Sequence, residues 1–292
     1  MRRLFPFLAA LLFTAPALPA AGPLSLDKVI LALKPDKDPD RMLAERRKLG
    51  EALGKLAGKP VEVIVPTSAA VILEGLKNGT IDLAYVSATE MVTIRDAGAG
   101  SVLLAGEISG QPHYRSYWVA LKGKPYAKVE DLRGKPIAFS SLTSTSGFLI
   151  PMVDLKEKGL IEGADPESFF GKGNVWYGIG YVSAIERVLR GEAEAAAVSY
   201  YVLDEDKYLT AEQKAKLVKI AEQGPVPTHV VAASSRLSTG DRDALKAALL
   251  ALREVAGAVS AEIFSADLVE VDGDAHLAPV EKALELLGRR KR

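Results

Sequence analysis

Short apolar and β-branched runs alternate along this chain with longer stretches of helical period. "VILAL" (Val29–Leu33) reads as a strand, and Asp38 followed by Pro39 supplies the cap and first residue of a helix running to about Ala57. "VEVIVP" (Val61–Pro66) is a second strand, Ala69 to Lys77 a short helix, and "IDLAYVSA" (Ile81–Ala88) a third strand. "SVLLAGEI" (Ser101–Ile108) and "SYWVALK" (Ser116–Lys122) complete a first unit. The same grammar then restarts. "IAFSS" (Ile137–Ser141), "NVWYG" (Asn174–Gly178) and "AAAVSYYVL" (Ala195–Leu203) are strands, separated by helices ending near Lys158 and spanning Val182 to Arg190. "VKIAEQGPVPTHVVAASS" crosses a Gly-Pro-Val-Pro break between two apolar runs, and helices from Asp241 to about Phe264 and from Pro279 to Leu287 close the chain.

Strand–helix alternation of this kind predicts an α/β protein with mostly parallel sheets flanked by helices. Two such units without a long linker predict two lobes, with crossings near Trp118 and Pro225. The first lobe then comprises residues 22–118 plus 228–292, the second is inserted as residues 119–227, and the carboxy-terminal helices return to the first. Ligands of open α/β sheets bind beyond the carboxyl ends of the strands, which points to a cleft between the lobes.

The amino end, "MRRLFPFLAALLFTAPALPAAGP", has a short basic region at Arg2 and Arg3, an apolar region from Leu4 to Ala15, and small residues at Ala20 and Ala21. That is the layout of a secretory signal peptide over residues 1–21, cleaved near Ala20–Ala21. No later segment offers about 20 uninterrupted apolar residues. The chain has no cysteine, which excludes disulfides, thiolate metal sites and a lipid-modified cysteine at the cleavage point. The expectation is a freely diffusing exported protein that is not a lipoprotein. Loss of the leader takes Lys+Arg from 37 to 35 against 37 Asp+Glu, and a net charge near −2 leaves no basic footprint for nucleic acid. The closing "GRRKR" reads as a solvated tail.

Enzyme motifs are missing: there is no phosphate loop, no H-E-x-x-H and no G-x-S-x-G elbow. His113, His229 and His276 lie far apart and read as isolated surface or packing residues. The conspicuous stretch is "SLTSTSGFLIP" (Ser141–Pro151), four successive hydroxyl residues from Thr143 to Ser146 ahead of an apolar helix. A helix amino end carries unpartnered N–H groups and roughly half a positive charge, so an oxyanion fits there without any cation. Gly147 would let that anion approach the backbone. On these residues alone an ordinary cap with a solvated loop explains the stretch equally well. A serine nucleophile lacks a linked base.

"STSGFLIP" (Ser144–Pro151) resembles the S-T-S-G-x-x-x-P motif of the phosphonate/phosphate/phosphite-binding periplasmic components of ABC importers. "LKNGTIDLAYVSA" (Leu76–Ala88), "GQPHYRSYWVA" (Gly110–Ala120), "DLRGKPIAF" (Asp131–Phe139), "AIERVLRGEAEAAAV" (Ala184–Val198) and "GPVPTHVVAASSRL" (Gly224–Leu237) resemble further blocks of that family in order and spacing. The resemblance implies a type II periplasmic-binding fold that closes on a small phosphorus oxyanion and works with an inner-membrane permease and ATPase, with no cofactor and no catalysis. It implies that Ser144, Thr145 and Ser146 hold the anion and that Tyr114 donates from the opposite lobe. Apart from the resemblance, Ser87 at the end of its strand and Tyr181 and Tyr200 among the aromatics near strand ends are candidates for further contact. Three family positions depart from pattern: Ala69 stands for a tyrosine, Tyr181 for a histidine and Ser199 for an acid used toward amino groups. Without that acid an aminoalkylphosphonate would leave its ammonium buried and unpaired. The alternatives are a receptor for another small anion or vitamin-like ligand, and a secreted hydrolase or transferase using Ser146.

Overall fold

The computed structural model describes residues 24–33, 39–206, 208–264 and 267–289; the leader and Asp38 lie outside them. The first elements are β1 (Val29–Leu33), α1 (Pro39–Ala57), β2 (Val61–Ile64), α2 (Ala69–Asn78), β3 (Leu83–Val86), α3 (Ala88–Asp96) and β4 (Gly100–Glu107). Next come β5 (His113–Leu121), β6 (Ile137–Phe139), a wide turn at Thr145–Leu149, α4 (Ile150–Glu157), α5 (Glu167–Phe170), β7 (Val175–Tyr177) and α6 (Tyr181–Leu189). Then follow β8 (Ala195–Ser199), α7 (Tyr201–Asp204), α8 (Ala211–Ala215), β9 (Leu217–Pro227), β10 (Val230–Ser234), α9 (Thr239–Phe264), β11 (Asp267–Val269) and α10 (Gly273–Leu286).

Two sheets result, one of six strands ordered β11-β4-β10-β3-β1-β2 and one of five ordered β7-β6-β8-β5-β9. β2, β1 and β3 pair in parallel, as do β7, β6 and β8. The sheets are nevertheless mixed, because β10 and β5 enter each antiparallel to both neighbours. Those are the strands next to the two crossings. The first crossing falls earlier than the expected 118/119 boundary: β5 belongs wholly to the second sheet, Trp118 included, so the chain leaves the first sheet between Glu107 and His113. The return falls between β9 and β10, at Thr228 and His229.

Three other expectations change. Tyr200 does not extend β8, and the residues after it form the helical turn α7. β9 runs through the Gly-Pro-Val-Pro segment instead of stopping at it. α10 starts at Gly273, ahead of Pro279, because Asp272 caps it by accepting from the N–H groups of Asp274 (3.0 Å) and Ala275 (3.1 Å). A helix at α3 was not foreseen at all. Its start is fixed by a capping box in which Ser87 Oγ accepts from Glu90 N (3.3 Å) and Glu90 Oε2 accepts from Ser87 N (2.9 Å).

α1 and α9 cover one face of the first sheet through Leu49, Leu53, Leu245, Leu249 and Leu252. The faces turned toward the other lobe share one continuous apolar cluster, from Ile72, Met91 and Val92 to Phe139, Phe148 and Phe170. α10 joins that cluster through Leu277, Val280 and Ala283 and packs on both α3 and α4. It therefore bridges the lobes instead of returning to the first alone. Arg95 of α3 pairs with Asp274 (2.9 Å) and with Glu281, while Lys282 pairs with Glu157 of α4 (2.6 Å).

At the crossings, Thr228 Oγ1 lies within bonding distance of two carbonyls, Gly106 (2.7 Å) and Pro112 (3.0 Å), and its N–H donates to Pro112 (3.2 Å). The buried His276 of α10 stands 3.1 Å from the Thr228 carbonyl, which only accepts, so Nε2 is the protonated nitrogen. Burial is the main cause holding this imidazole below its ordinary value of 6.5. The unfolded chain therefore binds the proton first, and the linked stability is complete above that value and lost as pH falls through it.

Two outcomes follow from this packing. A β-carbon at Gly147 would overlap Cβ and Oγ of Ser140, so Gly147→Ala should cost about 1–3 kcal/mol in urea unfolding, with part recovered in Gly147→Ala/Ser140→Gly. His276→Gln should remove part of the fall in urea midpoint between neutral pH and pH 5 that the wild type shows.

Candidate functional site

The hydroxyl stretch lies at the carboxyl end of β6, where the chain must turn from a buried strand into a helix. Ser140 follows the strand and is tied down at both ends: its N–H donates to Gly147 O (3.1 Å) and its Oγ to Ala197 O on β8 (2.8 Å). Ser144 has extended dihedrals, φ −71° and ψ 126°, and its Oγ accepts from Gly147 N (2.9 Å). It is thus the cap of the turn, which gives the capping reading its due for this one residue. The turn that follows is wide. Leu149 N–H donates to Ser144 O (3.0 Å) and Ile150 N–H to Thr145 O, each five residues back, a π pattern in place of the α one.

The next two hydroxyls point elsewhere. Ser146 is fully buried and Thr145 is 6% exposed. Ser146 Oγ receives Tyr114 O–H at 3.3 Å and lies 2.7 Å from Tyr181 Oη. Thr145 Oγ1 lies 2.8 Å from Thr89 Oγ1, at the start of α3 beneath the first sheet. Below them, Ser116 Oγ donates to the Ser146 carbonyl at 2.5 Å and accepts from Gln223 Nε2 at 2.7 Å. Ser116 and Gln223 are paired across β5 and β9, with Ser199 of β8 on the other flank of Ser116.

Three helix amino ends therefore meet: α3 at Thr89, the wide turn leading into α4 at Thr145, and α6 at Tyr181. Their dipoles all present positive ends. The side-chain donors gathered there are neutral hydroxyls and phenols. Burial, reinforced by Tyr181, holds the Tyr114 phenol well above its ordinary range, and burial does the same for Tyr201, whose ring packs edge-on to Tyr181 at 5.4 Å. These phenols keep their protons and act as donors. From the end of α10, Arg289 donates to the Leu142 carbonyl in the same loop (2.8 Å) and lies 4.5 Å over the Phe148 ring.

The expected residues divide. Tyr114, Ser146 and Tyr181 converge, and Thr145 faces them with Thr89. Tyr114 sits on β5 of the second sheet, the same sheet that carries the turn, so it does not reach across from the other lobe as expected. Ser87 is spent on its capping box, with Oγ donating to Glu90 Oε2 at 2.7 Å. Tyr200 packs its ring against Tyr114 at 5.8 Å, but its O–H donates away to Glu205 (3.2 Å). Ala69 opens α2 in an exposed position. Ser199 is fully buried, and its Oγ has no partner among the described residues. Gly147 is required for close packing, since a β-carbon there would overlap Ser140. Thr89, Ser116 and Gln223 were not foreseen. No contact between positions so far apart in sequence is readable from spacing.

Comparison with known proteins identifies the family and the fold. The family described as ABC transporter, phosphonate, periplasmic substrate-binding protein matches residues 31–276. The phosphate-import protein PhnD of Mycolicibacterium smegmatis is 27% identical over 173 residues, covering 58% of this chain and 54% of that protein, about half its length. Among solved structures, XAC2383 from Xanthomonas citri bound to ATP superposes with TM-score 0.74 at 16% identity, covering 91% of this chain and all of its own. PhnD1 from Prochlorococcus marinus in complex with methylphosphonate gives TM-score 0.74 at 18% identity, covering 90% and 99%. The two structural likenesses speak to the fold, and the family match spans most of the sequence: this chain belongs to the periplasmic substrate-binding proteins of phosphonate ABC transporters.

Proposed function

We propose that the protein captures a small phosphorus oxyanion (phosphate, phosphite or a simple phosphonate) between its two sheets and presents it to an inner-membrane permease and ATPase. The observation that carries this reading is the convergence of Thr145, Ser146, Tyr114 and Tyr181 at the buried amino end of a helix, faced by Thr89 of α3. An oxyanion there would exchange the hydroxyls' bonds to one another for charge-assisted bonds of roughly twice the strength. Closure follows from the Thr89–Thr145 juncture, since a ligand held on one side completes its shell only when the other arrives. The names of two similar proteins, a phosphate-import protein and a methylphosphonate complex, support the same ligand class.

The absence of an acid at Ser199 favours a ligand without an ammonium group. Catalysis has no support in the site: the partners of Ser146 Oγ are two phenols, and burial pushes the Tyr114 phenol up, so that it keeps its proton and acts as a donor. We place the protein in the periplasm as a monomer, exported by the leader at residues 1–21. No helix among the described residues is long and apolar enough to cross a membrane.

Calorimetric titration with phosphate, phosphite and methylphosphonate should give saturable binding of at least one, and silence from all three at millimolar concentration would overturn the reading. Thr145→Val and Tyr181→Phe should each weaken that binding by about 10–150-fold, the equivalent of one hydrogen bond to a charged group, with little change in melting temperature. A large stability loss in Thr145→Val with unchanged affinity would instead return Thr145 to a purely structural role.

A further inference from the structure

The wide turn poses a problem in hydrogen bonding. Ser144 and Thr145 find their carbonyl partners five residues on, at Leu149 and Ile150. The same register gives the Ser146 carbonyl to position 151, and position 151 is proline, which has no N–H. Ile150, the partner an α-turn would have offered, is already committed to Thr145. Ser146 is fully buried, so bulk solvent does not reach it, and an unpaired carbonyl at such a depth is costly.

The donor comes from β5. Ser116 Oγ stands 2.5 Å from the Ser146 carbonyl oxygen. A hydroxyl has one proton, and a carbonyl only accepts, so that proton is committed. Whatever else touches Ser116 Oγ must donate to it, and Gln223 Nε2 does so at 2.7 Å. This fixes the orientation of the Gln223 amide and leaves its Oε1, buried, with no partner among the described residues. The glutamine thus leaves one oxygen unsatisfied to orient one serine. Tyr114, two residues before Ser116 on the same strand, meanwhile donates to Ser146 Oγ. A single strand grips the side chain and the carbonyl of the same residue.

We propose that Ser116, oriented by Gln223, is a positioning residue for the anion: it gives the Ser146 carbonyl the donor that Pro151 withholds and so holds the turn in its wide form. Neither side chain needs to touch the ligand. They set the direction of the Ser146 peptide and of the first-turn N–H groups that the oxyanion would meet. The inference deepens the oxyanion reading and rests on it for its effect on affinity.

The test is a rescue. With methylphosphonate, phosphite and phosphate as probes, Ser116→Ala should weaken the binding the wild type shows by about tenfold, the worth of one net hydrogen bond. Pro151→Ala restores an N–H at the position the π register assigns to Ser146. The double variant Ser116→Ala/Pro151→Ala should therefore recover affinity to within a few-fold of wild type, which a merely structural loss at Ser116 would not allow. Gln223→Leu should give a smaller loss of the same sign and stands in should Ser116→Ala not fold. Unchanged affinity in Ser116→Ala, or a loss that Pro151→Ala fails to repair, overturns the proposal. Amide hydrogen exchange at Leu149 and Ile150 in the protein without added anion keeps the two readings apart. Faster exchange in Ser116→Ala, slowed again in the double variant, upholds the positioning role even if no phosphorus anion binds the wild type. Equal exchange in all three overturns it.

Discussion

The amino end of the helix that follows β6 has backbone donors that no residue of the helix can satisfy, and much of the second lobe is arranged around that fact. Ser144 answers one of them as a cap. Ser140 is drawn in beneath, and Gly147 has no room for a side chain because Ser140 occupies it. β5 comes alongside with Tyr114 and Ser116, and α6 begins with a tyrosine whose phenol reaches Ser146. Ser144 alone answers a terminal N–H; Tyr114 and Tyr181 hold the Ser146 side chain and Ser116 its carbonyl, and the remaining N–H groups are what make the terminus attractive to an anion.

Charge is handled without cations at the centre. Glu90 sits at the start of α3 in its capping box, so that helix brings a threonine hydroxyl to the meeting point with its terminal dipole already partly neutralised. The wide turn and α6 have no acidic residue in their first turns. The stronger of the converging positive ends therefore lie on the second sheet, the side that also supplies Tyr114, Ser146 and Tyr181.

How much of this could be read from the chain depended on range. Buried parallel strands such as "VILAL" and "AAAV" are continuous apolar runs, and they stood out. α3 did not, since "ATEMVTIRD" has weak helical periodicity, and its one local signal is the capping-box pair Ser87 and Glu90. The last helix starts at Gly273 and not at the expected Pro279, because Asp272 caps it two turns earlier. At the site, local pattern located the turn and its serines, and the family resemblance named Tyr114 and Tyr181. Tyr200 turned away because Glu205, five residues on, offers its phenol a carboxylate. Thr89, Ser116 and Gln223 reach the turn from 30 residues or more away in sequence, a distance at which only the folded chain shows who meets whom.

α10 changes the kinematics of the molecule. Two strand crossings, at residues 108–112 and 228–229, define a line, and bodies joined only there would swing freely about it. α10 is anchored to α3 through Arg95, to α4 through Lys282, and to the crossing itself through His276. A third tether of this sort subtracts freedom: the lobes separate only by movements in which this helix slips along one of its two seats. The ease of opening thus depends on a helix seated between the lobes, and the side whose apolar contacts yield first decides with which lobe it travels.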